Sequence, residues 1–454
     1  MNKKETPNNL FFSPTQIKDF PSVLAEVQKY ISENYASLIL DGDKNESKQQ
    51  IKIYIKKYLE DNRITADKMS GEELVDKLYV EMAEYSFLTK YIFGEGVEEI
   101  NINAWNDVEV YYAGGKKTKL NEHFDSPQHA INVVRRMLHA SGMVIDNAAP
   151  TVLGSLAKNI RIAAIKSPVV DDDAGVSASI RIVNPSNFTK QDLIDLGTAT
   201  EPMLDLLALL IRFGVSVCIA GATGSGKTTV AGWLLSTYPD DKRVFTIESG
   251  SREVSLVKMK DGKVTNSVIH TQTRPSENEN QNITQIKLFD IALRFHPSLI
   301  FVGEIRGEEA NVAQEASRAG QTVLTTIHSN SCEATYLRMV TLCKRAFDTS
   351  DKTLYELVTE AFPIIVYAKQ LENGERRIME ILECEIKTDG TRVYRTIYRY
   401  NIIKNYYDEN GNLIIIGEHE FVEEISDGLK KRLIENGVLR KWIENICKGE
   451  NISC

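Results

Sequence analysis

No stretch of this 454-residue sequence approaches the roughly 18 consecutive apolar residues that a membrane-spanning helix needs. It also holds no C-x-x-C pair, and its six cysteines (Cys218, Cys332, Cys343, Cys384, Cys447 and Cys454) follow no metal-ligand spacing. The opening MNKKETPNNLFFSP lacks the apolar centre of a secretory signal. A disulfide scaffold and a zinc module are thereby disfavoured, and reduced thiols in a cytoplasmic protein are expected. An excess of positive charge is missing too. Against 54 Lys and Arg stand 63 Asp and Glu, a net charge of -9, which weighs against nonspecific binding to duplex DNA as the main activity. Internal repeats and low-complexity tracts are absent. What remains is ordinary folded composition, 42% hydrophobic and 26% charged, in a chain long enough for two or three domains.

Four segments follow from the patterning. Residues 1–85 read as a polar helical extension. In KQQIKIYIKKYLEDN, Ile51, Ile55, Tyr58 and Leu59 share one helical face, with Lys48, Lys52 and Lys56 away from it. Such a helix either packs on its own domain or touches anionic lipid. Residues 86–190 read as a small α+β domain. GVEEININAWNDVEVYYAGGKKTKL alternates like a β-hairpin with Gly114-Gly115 at a turn, SPQHAINVVRRMLHASG is a helix capped by Ser126 with Pro127 in its first turn, and NIRIAAIKSPVV and VSASIRIVN form a further strand pair. Over residues 200–385 short apolar strands alternate with amphipathic helices, the pattern of a mostly parallel sheet covered on both faces. Residues 386–454 read as a β-hairpin and helical region with Asn-Gly turns.

The chemistry lies in the third segment. GATGSGKTT, residues 221–229, fits G-x-x-x-x-G-K-[ST] between a strand and a helix. Gly221, Ala222, Thr223, Gly224, Ser225 and Gly226 can wrap backbone N–H groups around phosphates at a helix N-terminus. Lys227 is expected to reach the β- and γ-phosphates and Thr228 to ligate Mg2+, and Thr229 is counted with the nucleotide-binding residues. The chain lacks N-K-x-D, which argues against a GTPase, and L-S-G-G-Q, which argues against a transporter ATPase. Three further strands end in polar residues that should converge on the phosphates in an open parallel sheet. TIESGSRE supplies Glu248 and Glu253; SLIFVGEIRGEEA supplies Glu304, preceded by Gly303 where a standard strand end would carry an aspartate; LTTIHSN supplies Thr326, His328 and Asn330.

At these residues the sequence resembles the type II/type IV secretion and pilus-assembly ATPases, in particular their CpaF-like branch. GATGSGKTT, FVGEIRGEEA, TIESGSRE, ALRFHPSLI and GQTVLTTIHSNS correspond to that family's signatures; GVEEININ, IRIAAI, ASIRI and ENGERRIMEILE extend the likeness outward, over roughly residues 90 to 385. The resemblance implies a RecA-like P-loop domain behind a smaller α+β N-terminal domain, ATP and Mg2+ as ligands, and a homo-oligomeric ring, a hexamer. Glu304 would hold Mg2+ through water or orient the attacking water, with Glu248 and Glu253 sharing that work. His328 would sense the γ-phosphate or the subunit boundary. Arg161 and Arg181 would reach the nucleotide from the N-terminal domain, with Arg252, Arg274 and Arg306 as further candidates. Residues 184–200 would be the hinge. The expected partner is a membrane platform protein on the inner face of the cell membrane, with pilin-like or secreted proteins as indirect substrates. Ser249, Ser298 and Gln321 depart from the family pattern, as does PTVLGSLAKNIRI, which lacks the acidic residues common before Arg161. Two rival readings stay open: a ring motor acting on DNA, and a scaffold that binds ATP without hydrolysing it. The acidic balance weighs against the first.

Overall fold

The computed structural model describes residues 16–452 apart from 21, 25, 28, 32–44, 67–68, 84, 95, 113–115, 158–159, 183–187, 251, 275–278 and 347–348. The chain divides into two compact units. One takes the residues up to 156 with 160–182; the other takes 157–159 with 183–454.

The first unit contains two hydrophobic clusters. Helices α1 (Asn45–Asp61) and α2 (Gly71–Ala83) build the first of them. Ile51, Ile55 and Leu59 of α1 are buried there beside Leu74 and Leu78, and Lys52 pairs with Asp76 at 2.6 Å. The apolar stripe of α1 is therefore consumed by its own unit; Lys48 has a side chain outside the described set. The second cluster lies under a six-stranded sheet. Its strands are β1 (Val97–Ala104), β2 (Asp107–Tyr112), β3 (Lys117–Lys119), β4 (Thr151–Ala157), β5 (Ile160–Lys166) and β6 (Val176–Ile182). Their spatial order is β3-β2-β1-β6-β5-β4. Where one hairpin was expected, β1 to β3 form a meander whose tight turn is Trp105–Asn106; Gly114 and Gly115 fall outside the described residues. Helix α3 (Pro127–Ala140) covers this sheet, and Ser126 caps it by accepting from the His129 amide at 3.1 Å.

The second unit begins with α4 (Lys190–Asp195) and α5 (Glu201–Arg212). Then follow β7 (Val217–Ala220), α6 (Lys227–Ser236), β8 (Val244–Glu248), β9 (Val268–Gln272), α7 (Gln285–Arg294), β10 (Leu299–Ile305), α8 (Glu309–Arg318) and β11 (Thr322–Ile327). After α9 (Cys332–Ala346) and α10 (Asp351–Ala361) come β12 (Ile364–Gln370), β13 (Arg376–Ile386), β14 (Arg392–Tyr407), β15 (Leu413–Phe421), α11 (Asp427–Glu435) and α12 (Arg440–Ile446). All nine strands join one sheet, in the order β9-β8-β10-β11-β7-β12-β13-β14-β15. From β9 to β12 neighbours run parallel; from β12 onward they run antiparallel. The sheet is thus mixed and not mostly parallel throughout, because short Gly-containing turns cannot carry the crossover that parallel neighbours need. Residues 386–454, expected as a separate region, share this sheet with the phosphate-loop segment.

Alternation along the central strands builds a core on each face. Val217, Ile219, Leu299, Phe301 and Leu324 pack with α5, α6, α11 and α12. Cys218, Ala220, Ile300, Val302 and Val323 pack with α7, α8, α9 and α10. Both faces are packed with apolar side chains, and the polar groups at the strand ends are left to one edge of the sheet.

Candidate functional site

The loop 221–226 leaves the carboxyl end of β7 and enters α6. Its geometry needs glycine. Gly224 and Gly226 have φ of 78° and 89°, and a Cβ on Gly221 would lie 2.2 Å from the Ala368 carbonyl oxygen of β12. The Gly221 amide donates to the Ile327 carbonyl of β11 at 3.2 Å, which ties the loop to the neighbouring strand end. Lys227 is buried, and its Nζ donates to the Gly221 and Ala222 carbonyls at 3.0 and 2.8 Å. Thr228 follows on α6, and its hydroxyl donates to Glu253 Oε2 at 3.0 Å.

The carboxylates occupy three different settings. Glu248 ends β8 and is fully buried. Its Oε2 accepts from the Val254 amide at 3.1 Å and from the Glu253 amide, and its Oε1 accepts from the Thr246 hydroxyl at 3.1 Å. This carboxylate holds the 249–254 loop in place, and so presents Glu253 to Thr228. Glu304 is half-buried between two cation-capable groups: its Oε1 lies 2.8 Å from His328 Nε2 and its Oε2 accepts from Arg306 at 2.5 Å. Burial pushes the Glu304 carboxyl up, but the Arg306 hydrogen bond and the charges of Arg306, His328 and Lys227 outweigh it, and the net displacement is downward. His328 moves down from the usual imidazole value. Burial is the largest cause, and Lys227 and Arg306 add to it against the opposing pull of Glu304.

The glycine at 303 has a physical reason. β8 and β10 are parallel neighbours with Ile247 opposite Val302, so Glu248 and Gly303 come next in register. A Cβ on Gly303 would sit 3.5 Å from Glu248 Cγ and 3.6 Å from its Cα. The place that an aspartate side chain would fill beside the phosphate loop is bordered by Glu248 itself. Thr326 adds support by donating to the Gly303 carbonyl at 2.6 Å.

The structure brings together Lys227, Thr228, Glu253, Glu304, Arg306 and His328 at the carboxyl edge of β7, β8, β10 and β11, with Glu248 behind them. It does not bring every candidate there. Arg252 precedes Glu253 in the loop at the active edge and turns its Nε to the Val254 carbonyl at 3.2 Å. Arg274 is exposed and pairs through its backbone with Ile283. Arg161 and Arg181 belong to the first unit, where β5 and β6 set them directly opposite each other. On its other side Arg181 stands opposite Glu99 of β1, so the two arginines share that stretch of sheet with a carboxylate. Two of the departures in the second unit lie far from the chemistry. Ser298 and Gln321 precede β10 and β11, whereas Glu304 and His328 lie at their other ends, about 20 Å away at ~3.3 Å per residue. Ser249, next to Glu248, is at the active edge.

Supporting residues escaped notice in the sequence. Glu309 accepts from the Arg306 and Gly307 amides at 2.6 and 2.8 Å and shapes the turn after Glu304. Gln285 donates to the Glu304 carbonyl at 3.1 Å. Glu309, on the first turn of α8, was findable as a helix-start acid; Gln285 carried no signal.

Hard oxygen donors at Thr228, Glu253 and Glu304 suit Mg2+, which takes one or two protein oxygens and completes its shell with water and phosphate. Among the described residues no cluster of three His, Cys, Asp or Glu side chains could hold a metal by protein ligands alone. The donor set therefore fits a metal carried with a nucleotide.

Residues 152–373 match the family described as type II/IV secretion system protein. An uncharacterised protein of Methanocaldococcus jannaschii is 27% identical over 258 residues, which cover 57% of this chain and 91% of that protein. The type IV secretion system protein PtlH of Bordetella pertussis is 30% identical over 183 residues, covering 39% of this chain and 52% of its own length. The ATPase DotB of Legionella pneumophila, a solved structure, is 18% identical with a TM-score of 0.45, covering 78% of this chain and 82% of that one.

Proposed function

We propose that this chain, which through residues 152–373 belongs to the type II/IV secretion system protein family, is an ATP-hydrolysing motor for a secretion or pilus-assembly apparatus. One observation carries the reading. A glycine-rich loop with a buried lysine leads into α6, and a carboxylate held between Arg306 and His328 stands at an adjacent strand end.

The backbone N–H groups of 221–226 and the start of α6 bind the phosphates. Lys227 exchanges its two carbonyl partners for phosphate oxygens. Thr228, with Glu253 accepting from its hydroxyl, is the metal-side ligand, and Mg2+ when bound supplies charge neutralisation on the transferred phosphoryl group. Glu304, kept ionised by Arg306, orients the attacking water, and Arg306 is placed to stabilise charge once that water engages Glu304. A neutral His328 can donate to Glu304 or to phosphate. Phosphoryl transfer asks for positioning and charge more than for covalent help, which matches this inventory. Arg161 and Arg181 are proposed as anion ligands of the first unit. A homo-oligomeric ring, peripheral attachment to the inner face of the cell membrane, and a membrane platform partner complete the proposal.

Purified protein should release phosphate from ATP with Mg2+. Lys227→Ala should abolish nucleotide binding, and Glu304→Gln should keep binding while turnover falls about 100-fold or more, the size seen on removing one positioned charged group. Wild-type turnover in both variants would refute the site. Single-stranded DNA should leave the rate unchanged; strong stimulation would move the proposal to a nucleic-acid motor.

A further inference from the structure

The three glycines of the phosphate loop are all approached by one element outside it, the β12–β13 hairpin. A Cβ on Gly221 would meet the Ala368 carbonyl oxygen at 2.2 Å, one on Gly224 would meet Gln370 Oε1 at 3.2 Å, and one on Gly226 would meet Arg376 Cδ at 3.3 Å. Arg376 also donates from Nε to the Gly224 carbonyl at 2.8 Å. In an anion-binding loop the N–H groups turn inward and the carbonyls turn outward. The Gly224 carbonyl is one such group, so Arg376 touches the loop where its backbone responds to a bound phosphate.

The next residue points elsewhere, as alternation along β13 requires. Arg377 is 9% exposed. Its Nη1 donates to the Leu196 carbonyl at 2.8 Å and to the Arg376 carbonyl at 3.0 Å, and its Nη2 donates to Glu375 at 2.7 Å. Gly197 has φ of 66°, and a Cβ there would be 3.1 Å from Arg377 Cζ. The Ile378 amide donates to the Thr198 carbonyl at 2.8 Å. The Tyr400 ring, centred 5.8 Å from Cζ, covers the remaining side. A buried guanidinium in this setting is tolerated only while its acceptors stay in place. Withdrawal of residues 196–198 would therefore cost the guanidinium its Leu196 acceptor, leaving it the Arg376 carbonyl and Glu375.

Upstream, α4 carries a capping box in which Thr189 and Asp192 satisfy each other's amides. Of the segment 184–200 expected to act as a hinge, the described portion 188–200 is thus a helix and turn fixed to the β-sheet, with 184–187 outside the described residues.

We propose that Arg376 and Arg377 are positioning residues that transmit the state of the phosphate loop to residues 196–198. The path is continuous: Gly224 carbonyl, Arg376 side chain, Arg376 carbonyl, Arg377 side chain, Leu196 carbonyl. It leads from the nucleotide site to the stretch of chain that follows the first unit in sequence, and so names the contact through which hydrolysis is felt there. This rests on the nucleotide-binding reading above.

Hydrogen exchange on the full chain, with and without ADP or a non-hydrolysable ATP analogue plus MgCl2, tests it. In the wild type, nucleotide should slow exchange of peptides spanning 221–228 and change exchange of peptides spanning 189–200 and 371–379 by about threefold or more. In Arg377→Gln, protection of 221–228 should persist, while the response at 189–200 is lost. Arg377→Lys, which keeps the charge but cannot fork to two carbonyls, should restore part of the response. Should Arg377→Gln fail to fold, Gly197→Ala presses on the same contact and should blunt the same response. An equal response at 189–200 in the wild type and all variants overturns the proposal, as does a wild type in which 221–228 is protected and 189–200 is silent. A wild type whose 221–228 peptide ignores millimolar nucleotide overturns the nucleotide reading and this one with it.

Discussion

Placing an aspartate at position 303 should damage this protein. The Gly303 Cβ position lies 3.5 Å from Glu248 Cγ, and Glu248 is 1% exposed with its oxygens bonded to the Thr246 hydroxyl and the 253 and 254 amides. Extending each side chain by its last bond sets two carboxylates about 4–5 Å apart. At an effective dielectric of ~20, unit charges at that separation repel by about 3–4 kcal/mol. Gly303→Asp should therefore lower the stability of the second unit by about 3 kcal/mol near pH 7.5, a fall of roughly 6–12 °C in its thermal midpoint for a domain of this size. Gly303→Asn has nearly the same shape without the charge, so the difference between the two isolates the repulsion from crowding. The sign of the pH effect is fixed as well. Repulsion raises the folded-state pKa of the introduced carboxyl above its unfolded value, so it should harm least at low pH, with the deficit growing as pH rises through the folded pKa. Thermal melts of wild type, Gly303→Asn and Gly303→Asp from pH 5 to 8 provide the measurement. Equal midpoints for the two variants at pH 7.5, or a Gly303→Asp variant that hydrolyses ATP faster than wild type, would refute the account of why glycine stands there.

Other outcomes follow from single contacts. Gly221→Ala should abolish nucleotide binding and destabilise the β7–β12 region by about 2–3 kcal/mol through overpacking against the Ala368 carbonyl, readable by titration with a fluorescent nucleotide and by urea melts. His419 donates from Nε2 to the Ile378 carbonyl at 3.0 Å, and burial, with help from Arg377, holds its imidazole down to about 4 from 6.5. The folded state thus favours the neutral ring, so its stability contribution is complete above pH 6.5 and falls away between 6.5 and 4, by about 3 kcal/mol in total; His419→Gln should flatten that slope in equilibrium unfolding. Ser426 caps α11 by accepting from the Leu429 amide at 3.1 Å, and it also donates from its amide and hydroxyl to buried Glu383, whose carboxyl burial pushes up. Ser426→Ala should lose about 2 kcal/mol, with the loss larger at pH 8 than at pH 5 because the stranded carboxyl prefers its proton; a pH-independent loss would reduce Ser426 to a plain helix cap.

The phosphate loop and the alternation of strand and helix around it were legible because each is a local pattern: glycine spacing, apolar period, strand before and helix after. Glu304, Glu253 and His328 were legible as polar strand ends. The role of Glu248 was not, since two acids five residues apart look equivalent in sequence, and only the β8–β10 register reveals that one of them borders Gly303. The departures at Ser298 and Gln321 stand inside the quoted motifs but lie at the opposite edge of the sheet, because a strand of six or seven residues separates its two ends by about 20 Å. Arg376 and Arg377 sat in a quoted hairpin motif without an assigned purpose. Their contacts with Gly224 and Leu196 cross 152 and 181 residues of chain, and no local pattern reports contacts at that distance.

The three acids near the loop can be told apart by what surrounds them, and this bears on which one takes part in hydrolysis. Glu248 has its oxygens occupied by three donors, with His270 Nδ1 3.7 Å from Oε1, and is closed to solvent, so it is poorly placed to take up an attacking water. Glu304 is held ionised by its cationic neighbours; a carboxylate with a depressed pKa is a weak proton acceptor but a dependable anchor for a water or an arginine. Glu253 accepts from Thr228, the residue proposed for the metal side. If Glu304 acts by orientation and charge, Glu304→Gln should lower kcat without shifting the acid limb of the pH–rate profile below pH 6, whereas Glu253→Gln should raise the Mg2+ concentration needed for half-maximal rate. A pH profile whose acid limb disappears in Glu304→Gln would make Glu304 the base after all, and would require that Arg306 leave it when nucleotide binds.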